Sequence, residues 1–290
     1  MHSNPVSTVS LSFLIQRCHL HYSSKDAQSM SVQLNSFCSW IVLLLYFNVI
    51  RAFSMKKENH VTILGFGSLL SEKSARNTFP DLRSFRLGRV ENYRRVFGHP
   101  ASIFFERGIA NVETKEMSSL CAEYCPGASI ICSVFEVDNE NGKFLEGDEA
   151  ELIPSIAFRE REEEFEIVPN VSFFDLASPN SDISSGILCT TSTDALYIER
   201  WGEERFKVKY EKYGIKTIWG WEKDSGLRPC GPYLRHCVLA ATKLGKECLD
   251  SFLDDTVLVD RKTTVRDYLR QFPKVMDTLP PPDLQERYGG

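Results

Sequence analysis

Positive charge is not in surplus in this sequence. Its 34 lysines and arginines stand against 39 acids, a formal net charge of −5, which argues against a nucleic-acid partner. Histidine is scarce too: beyond residue 59 there are only His60, His99 and His236. Cys121, Cys125 and Cys132 cluster loosely, but no second C-x-x-C pair completes a tetrahedral set, so they read as buried strand cysteines and not as a metal site. Nine cysteines spread from Cys18 to Cys248 are an odd number without framework spacing, which fits a reducing compartment better than a disulfide scaffold. The apolar run Ile41–Ile50 is too short to span a bilayer, and no stable membrane insertion is expected. What remains is a composition with 42% apolar and 25% charged residues, that of a globular protein with room for a sizeable core, and small-molecule chemistry becomes the leading reading.

Residues 1–54 stand apart, with eleven serines and a single acid, Asp26. With Arg17, Lys25 and Arg51, this is the composition of an organelle presequence, and Arg51-Ala-Phe-Ser54 loosely resembles the junction of algal plastid presequences. Translation from Met30 or Met55 is the alternative, so a cytoplasmic and an organellar location both stay open. From Val61 the chain reads as folded. Val61–Leu64 is a short strand, Ser71–Arg76 a turn or two of helix, and Phe85–Phe97 a half-buried antiparallel strand. Ala128–Val137 is a further strand, Asp138–Gly142 a turn, and Glu149–Arg161 helical apart from Pro154. A strand is expected at Ile187–Thr191, then a helix capped by Thr193 and running to Gly214, then a strand at Ile215–Trp221. Pro232 opens a helix that closes near Gly245, and Thr263 or Thr264 caps a last one through Tyr268 and Phe272.

The sequence Gly65-Phe66-Gly67-Ser68-Leu69-Leu70, between a strand and a helix start, invites a dinucleotide-binding reading. That reading fails because Leu70 replaces the third glycine and the following forty residues alternate as antiparallel strands do, where a crossover helix is needed. The local physics survives: backbone N–H groups in a glycine-permitted turn form a concavity for an anion or a carbonyl oxygen. A tight turn with no ligand is the plainer alternative.

The loop is followed by Asn92-Tyr-Arg-Arg-Val-Phe97, Glu106-Arg107-Gly108, a strand ending Val134-Phe-Glu-Val137, and Arg161-Glu162-Glu-Glu-Phe165. This order resembles the γ-glutamyl cyclotransferase superfamily, its plant AIG-type and ChaC-like branches most of all, over residues 61–170 and again near 232–258. The resemblance implies an α+β fold, a small mixed β-barrel with packed helices and a C-terminal extension. It divides the 55–290 domain into a core at 61–170, an insertion at 171–231 and C-terminal helices at 232–290. It also implies an enzyme that releases 5-oxoproline from a small γ-glutamyl compound without cofactor or metal. Glu162 takes the place of the general acid/base, with Glu160 as runner-up. Gly65, Phe66, Gly67, Ser68 and Leu69 would hold the glutamyl part, and Arg107 or Arg94 a substrate carboxylate. The charged run Arg159–Glu166 can equally be a solvated face, on which Glu163 and Glu164 would lie. Phe66 and Phe165 stand where the family usually has tyrosine. A module that keeps the pocket and binds without turnover is the alternative function. Oligomeric state is not legible.

Overall fold

The computed structural model describes residues 60–139, 153–178 and 182–290. The N-terminal extension, residues 140–142 of the expected turn and the start of the helix expected from Glu149 lie outside the described residues. In chain order the elements are β1 (His60–Gly65), a 3₁₀ turn (Ser68–Leu70), α1 (Glu72–Arg76), β2 (Arg83–Pro100), α2 (Ser102–Glu106), β3 (Glu116–Asp138), α3 (Ile156–Arg161), β4 (Glu166–Asp175) and β5 (Ser184–Thr190). Then come α4 (Asp194–Trp201), α5 (Glu203–Lys209), β6 (Arg228–Pro229), α6 (Gly231–Lys243), α7 (Lys246–Asp254), β7 (Thr256–Leu258) and α8 (Val265–Gln271).

Five strands close on themselves. β1 pairs antiparallel with β3, Gly65 facing Ser133, and parallel with β5, Leu64 facing Leu188. β5 continues antiparallel to β4, β4 antiparallel to β2 at Val90 and Phe173, and β2 returns antiparallel to β3 at Gly88 and Cys132. The ring β3-β1-β5-β4-β2 is a small mixed barrel, and the short β6 and β7 extend it beyond β3 and β2. A closed ring leaves few unpaired edges, and inward side chains such as Val90, Val134, Phe173 and Leu188 fill it. The fold is α+β, with β5 from the 171–231 stretch built into the barrel wall between β1 and β4. A second apolar cluster, including Tyr197, Phe206, Tyr210 and Ile218, packs under α4 and α5. No helix among the described residues is long and apolar enough to cross a membrane.

Two expected elements differ. The helix from Thr193 to Gly214 is broken at Gly202, whose φ of 85° is left-handed, so α4 and α5 are separate helices. Ile215–Trp221 is not a strand. The Ile218 and Trp219 N–H groups donate to Asp194 Oδ1, both at 2.9 Å, so a side chain supplies the acceptors that a neighbouring strand would. Thr193 and Thr264 cap their helices as expected from the sequence, and Ser71 caps α1.

The Arg95 guanidinium on β2 is wholly buried. Arg95 donates to Thr256 Oγ1 at 2.9 Å, the Ile131 carbonyl at 2.7 Å and Ser251 Oγ at 2.9 Å, and its guanidinium lies over Phe252 at 5.2 Å. It ties α7 and β7 to the strands. Arg95→Ala removes these bonds and leaves a cavity, so unfolding in denaturant should show a loss on the order of 3 kcal/mol or more. A midpoint equal to wild type would mean that this tie contributes nothing.

Candidate active site

β1 aims the glycine loop. At its end Ser133 Oγ, across the ladder on β3, lies within hydrogen-bond reach of the carbonyls of Gly65 (3.1 Å) and Leu69 (2.8 Å), which folds the loop back on itself. A Cβ on Gly65 would come within 2.5 Å of both Leu69 Cβ and Ser133 Oγ, and one on Gly67 would collide with the Tyr233 hydroxyl. Both positions therefore need glycine for space. The first bond of the 3₁₀ turn runs from the Leu70 N–H to the Gly67 carbonyl at 2.9 Å. The N–H groups of Ser68 and Leu69 precede that bond and lie at the open end of the turn.

This loop forms one wall of a cavity of about 460 Å³, a size suited to a small molecule. Gly65, Phe66, Gly67, Ser68 and Leu69 all line it, as do Arg107, Glu160 and Glu162. Arg94 does not. It pairs with Glu123, which Arg261 also holds, so its expected place at a substrate carboxylate gives way to a strand-surface ion pair. Glu160 is exposed at the rim, whereas Glu162 is mostly covered.

The turn after α3 also lines the cavity. Ser155 caps this short helix, Phe158 anchors it against Phe79 with ring centroids 5.7 Å apart, and the Glu162 N–H closes its last bond. Arg161 then joins three segments: its guanidinium donates to Glu162 Oε1, Thr78 Oγ1 and Ser68 Oγ, each at 2.9 Å. Burial raises the Glu162 pKa above the ordinary glutamate value, and the Arg161 charge and hydrogen bond oppose this. Phe165 lines the same cavity.

Glu163 and Glu164 were expected on a solvated face, and both are buried. The segment is a turn and not a helix, so consecutive side chains diverge and three in a row can face inward. Glu163 accepts from Ser102 Oγ at 2.8 Å and from two Arg205 nitrogens at 2.8 and 2.5 Å. Glu164 Oε1 accepts the Ser102 N–H at 3.0 Å and the Tyr210 hydroxyl at 2.6 Å. These contacts fix the start of α2 and the second apolar cluster.

Burial first, and the Glu163 charge second, push the Glu164 carboxyl up from 4.5 to about 7. The native state therefore holds this proton more tightly than the unfolded chain. The stabilisation is complete below the unfolded value and is lost as pH rises through about 7. Glu164→Gln keeps an acceptor for Ser102 and Tyr210, so the variant should lose this part of the slope. Denaturation midpoints of both proteins from about pH 5 to about pH 8 read it directly, and parallel curves would mean that Glu164 does not titrate there.

Neither buried histidine carries a proton to give as an acid. Burial pushes His99, stacked on Trp219 at 4.3 Å, down to about 3, and His236, on the cavity wall, down to about 4, so both are neutral near pH 7. The C-terminal segment completes the cavity, and nothing in the sequence pattern pointed to it. Tyr288 is buried on its wall, its hydroxyl accepts from Arg107 at 2.8 Å, and the Gly290 N–H donates to His236 Nδ1 at 3.0 Å. Arg205 and Lys209, also lining residues, come from α5 and were not anticipated either.

No protein-family model matches the chain, and no curated protein matches it. Among solved structures it is similar to an uncharacterized protein from Homo sapiens, at 12% identity over 46% of this chain and 68% of that one, with a TM-score of 0.33. It is similar to a γ-glutamyl cyclotransferase at 12% identity, over 46% and 67% of the two chains, with a TM-score of 0.32. A third likeness is to a protein from Arabidopsis thaliana solved in solution, at 12% identity over 53% and 89%, with a TM-score of 0.30. These are likenesses of fold, too distant to carry an argument about chemistry, which has to be read from the cavity itself.

Proposed function

We propose that this protein is a γ-glutamyl cyclotransferase-type enzyme, with Glu162 as its proton shuttle. The observation that carries the reading is the chain Ser68–Arg161–Glu162, which joins the glycine loop to a covered carboxyl with a raised pKa inside one cavity. The order of sequence motifs supports it.

The chemistry asks little else of the protein. The substrate's α-amine attacks its own γ-carbonyl carbon, a C–N bond forms to close the five-membered lactam, and the original amide C–N bond breaks. The α-ammonium gives up two protons in becoming the lactam N–H, and the departing nitrogen gains two in becoming an ammonium. No water is consumed. One carboxyl can take the first proton and return it to the leaving nitrogen, and partial desolvation brings its pKa toward the working range. Because the nucleophile is tethered, most of the acceleration comes from holding the chain curled for attack. The Ser68 and Leu69 N–H groups and the walls formed by Phe66 and Phe165 are suited to that, with the γ-carbonyl oxygen on the loop.

The test is to incubate the full chain with γ-glutamyl amino acids, glutathione and γ-glutamyl amines and to measure 5-oxoproline against freed amine. Equal amounts of the two are expected from at least one compound. Binding without product would favour the alternative, a module that holds γ-glutamyl compounds and turns nothing over.

A further inference from the structure

The cations that line the cavity differ in their partners. Arg205 and Lys209 are neutralised: Arg205 grips Glu163, and Lys209 lies 2.5 Å from Glu106 and 3.9 Å from Glu163. Arg107, Arg161 and Arg287 also line the cavity, and Glu162 answers only Arg161. Arg107 has the Tyr288 hydroxyl and, at 5.8 Å, the Tyr288 ring, neither of them a counter-charge. Arg287 has no hydrogen bond or ion pair among the described residues. Its pKa is lowered by burial first and then by the charges of Arg107 and Arg161. Half-buried guanidinium groups that line one cavity without an acid are costly unless an anion joins them.

Resting on the cyclotransferase reading, we infer that Arg107 and Arg287 form a subsite for the carboxylate of the leaving amino acid, so that γ-glutamyl amino acids and peptides are preferred over uncharged γ-glutamyl amines. The substrate carries two carboxylates. The one on the glutamyl part is a single carbon from the ammonium that Glu162 must deprotonate, which places it near Arg161. The second lies beyond the scissile bond, where the remaining two cations are available. Guanidinium groups bind carboxylates through paired, charge-assisted hydrogen bonds, and loss of one such pair weakens binding on the order of tenfold or more. The C-terminal segment thereby determines specificity, because Arg287 belongs to it and Tyr288 orients Arg107.

The experiment compares γ-glutamyl-alanine with its uncharged C-terminal amide. Calorimetry on the Glu162→Gln protein reads affinity without turnover, and 5-oxoproline release by wild type reads kcat/KM. The acid should bind on the order of tenfold more tightly than the amide, and Arg287→Gln should erase that preference by weakening the acid alone. Arg287→Lys should restore part of it. If wild type releases 5-oxoproline from both compounds with equal kcat/KM, or Arg287→Gln weakens both alike, the subsite is refuted while the cyclotransferase reading stands. If neither compound binds and neither yields 5-oxoproline, the cyclotransferase reading falls and the subsite with it.

Discussion

Glu162→Gln is expected to bind a γ-glutamyl amino acid nearly as wild type does and to release 5-oxoproline on the order of a hundredfold more slowly, or not at all. Glutamine keeps the shape and an acceptor for Arg161, so the Arg161 contacts to Thr78 and Ser68 survive and the cavity wall stays in place. What is lost is the ability to take and return a proton. Glu162→Asp keeps the acid but retracts it by one carbon, and an intermediate rate is expected. Glu163→Gln and Glu164→Gln disturb buried hydrogen bonds to Ser102, Arg205 and Tyr210, so their main effect should fall on stability. If Glu160→Gln is the dead variant and Glu162→Gln is active, the shuttle belongs at the rim.

Gly67→Val should abolish ligand binding in a protein that still folds. The new Cβ meets the hydroxyl of Tyr233, which cannot swing away because its ring is packed on Phe104 at 4.9 Å and Phe97 at 6.3 Å. Overpacking of this kind costs about 1–3 kcal/mol, which a domain of ordinary stability survives. The strain is relieved by moving the loop, and that displaces the Ser68 and Leu69 N–H groups. Affinity should fall at least on the order of a hundredfold, since the loop forms a whole wall of the cavity. Tyr233→Phe removes the colliding atom, so the double variant should recover part of the affinity, and the coupling measures how much of the loss was this contact. Normal binding by the single variant would remove the loop from the site.

How much of this was legible depended on how local the physics is. β1, the glycine loop and the caps at Thr193 and Thr264 follow from neighbouring residues, and they lie where the sequence indicates. β4 was harder to see. Its apolar alternation at Val171 and Phe173 is interrupted by a register shift after Val168, where Asn170 takes a φ of 58°. Burial of Glu163 and Glu164 is a tertiary fact, since their partners Ser102, Arg205 and Tyr210 are between 42 and 62 residues away in other elements and no periodicity marks them. The Arg107–Tyr288 contact spans 181 residues. Composition could show that the pocket motifs share a chain, but only the closed barrel brings the C-terminal segment against them.

The most direct measurement of the central claim is the reaction run in ¹⁸O-labelled water with a γ-glutamyl amino acid, with the products separated by mass. Attack by the substrate's own amine predicts 5-oxoproline without label, freed amino acid in equal amount and no glutamate. Labelled glutamate would show that water is the nucleophile, and would contradict the intramolecular route for which the loop and Glu162 are proposed to be arranged.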